Sequence, residues 1–209
     1  MILGITGGTG CGKTTLLNLI REKGGLVLDC DAIYHQLLQT DDDLLRAIEG
    51  RFPGTVTDGV LSRKMLGRLV FSDRAALEDL NRLTHGAILA EVRRRLESAP
   101  ALAAIDAIAL LESGLATLCD VTVAVTAPEE DRVRRLMARD GIPEDYARSR
   151  IAAQHGEDWF RQRCGYCLPN TGTPAQFRED CLAFLEKLDI IEKRAPRHSL
   201  GKPDKGDLV

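Results

Sequence analysis

The chain has 209 residues, 44% of them hydrophobic, enough to bury one good core with room for an inserted subdomain. A formal net charge of −3 speaks against a general nucleic-acid binder, since such domains are strongly basic. No stretch reaches the ~20 apolar residues of a membrane span: the most apolar one, Ala99–Leu111, is broken by Asp106, and the N-terminus shows no charged leader or cleavage site, so the expected location is the cytoplasm.

In chain order, Ile2, Leu3 and Ile5 read as a buried strand, and Thr14–Arg21 (TTLLNLIR) reads as a helix. Between them Gly7, Gly12, Lys13 and Thr14 fit G-x-x-x-x-G-K-[ST], the phosphate-binding loop. Such a loop aims backbone N–H groups and the positive end of a helix at one point. Lys13 would reach the β- and γ-phosphates of a nucleoside triphosphate, and the Thr14 hydroxyl would coordinate Mg²⁺. The motif alone does not separate a kinase from a GTPase or a motor.

Leu26–Leu28 reads as a second strand ending at Asp29-Cys30-Asp31, followed by helices over Ala32–Leu38 and Asp41–Phe52. Pro53-Gly54 and Asp58-Gly59 mark turns. From Leu61 to Glu97 the pattern is helical and charge-rich, with Arg93-Arg94-Arg95 read as a solvated face. Leu102–Ile108 and Val121–Val125 are nearly continuous apolar runs, which suits strands of a parallel sheet covered on both faces. Glu129–Arg139 is an amphipathic helix, and Pro143 starts another that runs through Gln154. Tyr166–Leu168 is a last short strand and Ala175–Leu188 a closing helix. From Lys193 the chain is polar and rich in Pro and Gly, the composition of a disordered tail. Strands alternating with helices give an α/β fold, with the loop at the carboxyl edge of a parallel sheet.

Cys164-Gly165-Tyr166-Cys167 is a lone C-x-x-C among six cysteines. A zinc site needs a second ligand pair, and the remaining cysteines are singly scattered, so these are read as reduced thiols in or near a short strand. Cys11 is a different case. It lies inside the phosphate loop, near a helix N-terminus and Lys13, where a lowered thiol pKa and oxidative sensitivity are expected.

Several segments together resemble one family, the dephospho-CoA kinases. The opening Gly4-Ile5-Thr6-Gly7-Gly8-Thr9-Gly10-Cys11-Gly12-Lys13-Thr14-Thr15 is similar to the family's own, and Asp29-Cys30-Asp31 resembles its Asp-x-Asp. Gly59, Leu61, Arg63, Leu66, Gly67, Val70 and Phe71 resemble its Gly-x-Leu-x-Arg…Leu-Gly…Val-Phe pattern. Leu83-Thr84-His85, Glu112-Ser113-Gly114-Leu115, the lid-like Arg135–Gly141 and Arg150–Gln154, and Asn170 with Gly172 complete the likeness, from Met1 to about Leu188. The chain departs from the family in two places. Gly86 stands where a Pro usually follows Leu-x-His, and Ile108-Ala109-Leu110-Leu111 stands for Pro-Leu-Leu-Phe.

The resemblance implies transfer of the γ-phosphoryl of ATP to the ribose 3′-hydroxyl of dephospho-CoA. It implies a five-stranded parallel sheet in a phosphate-loop fold, a helical acceptor-binding insert at about 59–98 and a lid at about 139–156. One domain would span 1–192, and the protein would be a monomer or weak homo-oligomer. Gly8, Gly10, Cys11, Gly12, Lys13, Thr14 and Thr15 would hold the phosphates, and Asp31 would orient the acceptor hydroxyl and take its proton. The competing reading of Asp31 is an N-cap for the following helix. Asp29 would hold metal-bound water or cap a turn. Arg139 and Arg135 would swing over the phosphates or simply pair with neighbouring acids. Arg63, His85 and Glu112 would face the acceptor, and Asn170–Gly172 would contact adenine or form a plain turn. Two rivals share the loop: another small-molecule kinase, acting on a nucleoside, nucleotide or shikimate, and a nucleotide-dependent switch. The switch lacks its marks, since neither Asn-Lys-x-Asp nor Leu-Ser-Gly-Gly occurs.

Overall fold

The computed structural model describes residues 1–194. β1 (Ile2–Thr6), α1 (Lys13–Glu22), β2 (Leu26–Asp29) and α2 (Cys30–Thr40) come first, then α3 (Asp42–Arg51). A small hairpin, β3 (Val56–Thr57) and β4 (Val60–Leu61), precedes α4 (Arg63–Phe71) and α5 (Arg74–Leu96). β5 (Ala103–Asp106), a 3-10 turn at Leu115–Leu118 and β6 (Val121–Thr126) follow. The chain then runs through α6 (Glu129–Asp140), α7 (Glu144–Ala152), α8 (Glu157–Arg163), β7 (Tyr166–Pro169) and α9 (Pro174–Arg194).

The main sheet has the order β2-β5-β1-β6-β7, with every neighbouring pair parallel. The apolar runs of β1, β5 and β6 are nearly wholly buried because both faces are covered. Leu3, Ile5, Ala104, Val123 and Val125 pack with Leu16 and Ile20 of α1 and Phe177, Phe184 and Leu185 of α9. On the other face Leu28 and Ile105 join Ile33, Ile48, Leu66, Leu80 and Val92 from α2, α3, α4 and α5. α6 and α7 form their own cluster through Val133, Leu136, Ala147 and Ile151. Among the described residues no helix is long and apolar enough to cross a membrane.

Several boundaries differ from the sequence reading, for local reasons. α2 starts at Cys30, not Ala32, because Asp29 is its N-cap: Oδ1 accepts from the backbone of Asp31 at 2.9 Å and Ala32 at 3.0 Å. Asp31 is therefore not the cap; it lies inside the first turn. The expected helical stretch from Leu61 begins with the end of the hairpin and breaks after Phe71, where Asp73 caps α5 through the amides of Ala75 and Ala76. β5 stops at Asp106, two residues before Ile108. α7 ends at Ala152, and α8, which the sequence reading lacked, follows. α9 runs on to Arg194, so Lys193 and Arg194 are helical, while the rest of the expected tail lies outside the described residues.

Candidate active site

The carboxyl ends of β1, β2 and β5 meet at one edge, and the parallel register fixes what meets there. Asp106 is opposite Ile5 on one side and Asp29 on the other. The loop Gly7–Gly12 leaves β1 at this edge and turns into α1, so a cleft of about 390 Å³ opens between loop, sheet edge and α6. Gly8 to Thr14, Asp29, Asp31 and Arg139 all line it. Most of the expected phosphate and catalytic residues thus share one space, together with Asp106, Ile108, Arg135 and Arg150.

Carbonyls of the loop are taken up by donors within the protein. Lys13 Nζ donates to Gly7 O at 3.1 Å, the Cys11 amide to Gly8 O at 3.3 Å, and the Thr15 amide to Gly12 O at 3.1 Å. Arg135 Nη1 donates to Gly10 O at 3.1 Å, and Asn170 Nδ2 donates to Cys11 O at 2.9 Å. No protein acceptor among the described residues takes the amides of Gly10, Gly12 or Lys13. Those amides, at the positive end of α1, can bind an anion.

Asp106 went unassigned in the sequence reading. Its carboxylate lies in the apolar run that it interrupts, and that interruption was the available signal. Burial pushes its pKa up to about 6; Lys13 opposes the shift, and Asp29 and Asp31 add to it. Oδ1 of Asp106 has no hydrogen-bond partner and is buried. A buried carboxylate oxygen with nothing to bond is the donor type a hard cation takes.

Cys11 corrects an expectation. Lys13 and Arg132 do lower its pKa, but burial outweighs both and the thiol is pushed up, so it is not activated. Cys164 caps α8 and Cys167 lies in β7; burial raises both, as suits reduced thiols.

The remaining expected residues are placed differently. Arg139 pairs with Asp140 through Nε at 2.6 Å and Nη2 at 3.0 Å while still lining the cleft, and Arg150 Nη1 reaches the same Asp140 at 2.8 Å. Arg135 lines the cleft, but its Nη1 is spent on the carbonyls of Gly10 and Cys11. Asn170 is buried with its side chain on Cys11 O and its amide on Thr126 O at 2.7 Å. Gly172 precedes a reciprocal pair, Thr173 and Gln176, that opens α9. Arg63 starts α4, where its charge acts on Tyr34 of α2. His85, half-buried on α5, has its pKa lowered by burial, against the pull of Glu112. Glu112 itself stands 3.0 Å from His155 Nε2. Arg63, His85, Glu112, Thr15, Asn170 and Gly172 do not line the cleft.

Arg132 is a further residue that sequence reasoning missed. The signal was there, since Arg132, Arg135 and Arg139 at i, i+3 and i+7 share one face of α6. It too has been turned toward the loop.

Comparisons with known proteins agree with one another. The family model described as dephospho-CoA kinase matches residues 1–176. A dephospho-CoA kinase of Syntrophotalea carbinolica is 36% identical over 207 residues, covering 96% of this chain and 98% of the relative. A crystal structure from Thermus thermophilus superposes with a TM-score of 0.75 at 35% identity, over 90% of this chain and 97% of that one. A dephospho-CoA kinase structure from Campylobacter jejuni, at 23% identity and a TM-score of 0.66, covers 91% of this chain and 98% of its own and supports the fold.

Proposed function

This chain belongs to the dephospho-CoA kinase family, and we propose how its cleft divides the transfer of a phosphoryl group from ATP. The enzyme phosphorylates dephospho-CoA in coenzyme A biosynthesis, which sets aside the other small-molecule kinases and the switch weighed above. Phosphoryl transfer needs positioning and charge neutralisation more than covalent chemistry. The amides of Gly10, Gly12, Lys13 and Thr14 hold the phosphates, and the Lys13 ammonium neutralises charge on the β- and γ-oxygens. Arg139 and Arg150, on the α6–α7 pair that forms the lid, add positive charge from the opposite wall.

Asp31 receives the ribose 3′-hydroxyl. Its carboxylate accepts the hydroxyl's hydrogen bond, aligns the oxygen with the γ-phosphorus, and takes the proton as the new O–P bond forms. The residues that would hold Mg²⁺ are Thr14, Asp29 and Asp106, on the strength of the orphaned Asp106 oxygen. When bound, the ion neutralises phosphate charge. Arg63, His85 and Glu112 flank the acceptor from the helical insert and the loop after β5. Residues 170–172 would face the adenine through backbone carbonyls, the Asn170 backbone amide being spent on Thr126 O and its Nδ2 on Cys11 O.

The observation that carries this reading is the meeting of Lys13, Thr14, Asp31 and Asp106 in one cleft at the sheet edge. An acceptor screen with ATP labelled at the γ-position tests it. Label should pass to dephospho-CoA and not to nucleosides or shikimate, and Asp31→Asn should lose that transfer while still binding ATP. Transfer undiminished in Asp31→Asn would move the base elsewhere.

A further inference from the structure

We infer that Arg132 and Gln154 form a clasp on Thr9 that sets the conformation of the phosphate loop from behind, making both of them positioning residues. The inference rests on reading Gly7–Thr14 as the cradle for the nucleotide's phosphates. Arg132 Nε donates to Thr9 O at 2.9 Å. Its Nη2 donates to Gln154 Oε1, also at 2.9 Å, and the same oxygen accepts the Thr9 amide at 2.9 Å. Both backbone groups of Thr9 are therefore held by one closed ring of three hydrogen bonds. Thr9 is buried, and Arg132 is only 9% exposed.

Two glycines of the loop answer to this clasp. A Cβ on Gly8 would come within 2.3 Å of Arg132 Nη2 and 3.0 Å of Gln154 Oε1. On Gly10, which has φ +78°, it would meet the Arg132 carbonyl oxygen at 2.9 Å. A side chain at Gly8 would push the Arg132 and Gln154 head groups off Thr9, and one at Gly10 would meet the α6 backbone at residue 132.

The charge of Arg132 is a second, independent observation. Arg134, Arg139, Arg148 and Arg150 on α6 and α7 all pair with carboxylates. Among the described residues Arg132 and Arg135 pair with none, both bonding to loop carbonyls instead, and Arg132 is the more buried of the two. A buried guanidinium bonded only to neutral oxygens bears a desolvation cost that a carboxylate would reduce. Its positive charge is left uncancelled directly behind the loop, where it favours an anion on the other side.

Gln154 gives the clasp its reach. It follows α7, whose Ala147 and Ile151 pack on Val133 and Leu136 of α6. The α6–α7 pair that presents Arg139 and Arg150 to the cleft is thus hydrogen-bonded to Thr9 at both ends, and loop and lid share one geometry.

The test uses the intact enzyme and four variants: Arg132→Met, Arg132→Lys, Gln154→Ala, and Arg132→Met combined with Gln154→Ala. Calorimetric titration with ADP needs no acceptor and reads the loop directly. Arg132→Met should weaken ADP about tenfold, the loss of a charge-assisted pair of bonds. KM for ATP should rise in step while KM for dephospho-CoA stays put. Arg132→Lys keeps the charge without the fork and should fall between. The double variant should bind ADP no worse than Arg132→Met, because both residues act through Thr9. Arg134→Met, an exposed neighbour, should match the wild type. Unchanged ADP affinity in Arg132→Lys and Gln154→Ala overturns the inference, as do additive losses or an equal rise in both KM values. If Arg132→Met does not fold, those two variants decide. Lys13→Ala separates the two readings, since full ADP affinity there would overturn the phosphate cradle itself, whatever Arg132 does.

Discussion

The phosphate loop and the helical insert are built to different tolerances. Behind the phosphate loop each carbonyl from Gly7 to Gly12 has a donor, supplied by a lysine, arginines, an asparagine or the loop's own amides. On the helical insert, α4 turns Met65, Leu69 and the 87%-exposed Phe71 to solvent, and a Cβ on Gly59 or Gly86 would meet nothing within 4 Å. On the proposed reading the first region would stabilise charge that develops in the transition state, and donors fixed in advance need no reorganisation at that moment. The second would receive the acceptor, where room to adjust costs less than misfit.

Breaking the fixed side should have the largest effect. Lys13→Ala should lower turnover by about 10²- to 10³-fold, as loss of a preorganised charge does, with the melting temperature unchanged. Steady-state kinetics beside a thermal scan check it, and a variant keeping a tenth of the turnover would show Lys13 to be structural. Asp31→Asn should cost about 10²-fold in turnover, the span of a lost general base, while ATP binding persists.

Asp106 sharpens the contrast, because there the fixed side carries a penalty. Its folded pKa of about 6 lies above the ordinary 3.8 of an aspartate, so the folded state favours the protonated form. Its contribution to stability is whole below pH 4 and is lost as pH rises to about 6. Asp106→Asn should therefore melt like the wild type at pH 4 and higher than it at pH 7.5, by up to about 3 kcal/mol, with turnover reduced. Denaturant titrations at the two pH values check this, and an equal difference at both would deny the burial penalty. The smallest effect is expected on the open side. Gly86 is inside α5 with clear space around it, so Gly86→Ala should stabilise by about 0.5–1 kcal/mol through helix propensity alone. A lower melting temperature would mean that the helix needs to flex there.

What was legible in the sequence was what is contiguous. The strand, loop and helix around Gly7–Thr14 announce themselves within about twenty residues, and so do the apolar runs of β5 and β6. The β3–β4 hairpin has two residues per strand, too few to show alternation, and α8 is one short helix whose apolar residues are Trp159 and Phe160. Asp31 could be singled out because it follows closely on a strand end near a known motif, although the structure puts it in the first turn of α2. Asp106 acquires meaning only when the register sets it beside Asp29, and Arg132 only when α6 folds over the loop. Contacts of that kind, between residues far apart in sequence, leave little local trace.

The bond from Asn170 to the Cys11 carbonyl spans 159 residues, so its two ends leave the ribosome far apart in time. A ribosome delivers the loop almost at once, but its tie to β7 arrives when four-fifths of the chain has emerged. Until β7 docks along β6, one carbonyl of the nascent loop has lost its donor and can turn toward the phosphate side. On the proposed reading of the loop, full affinity for nucleotide would be a late property of the growing polypeptide, and a chain ending before Asn170 would carry the motif without this tie.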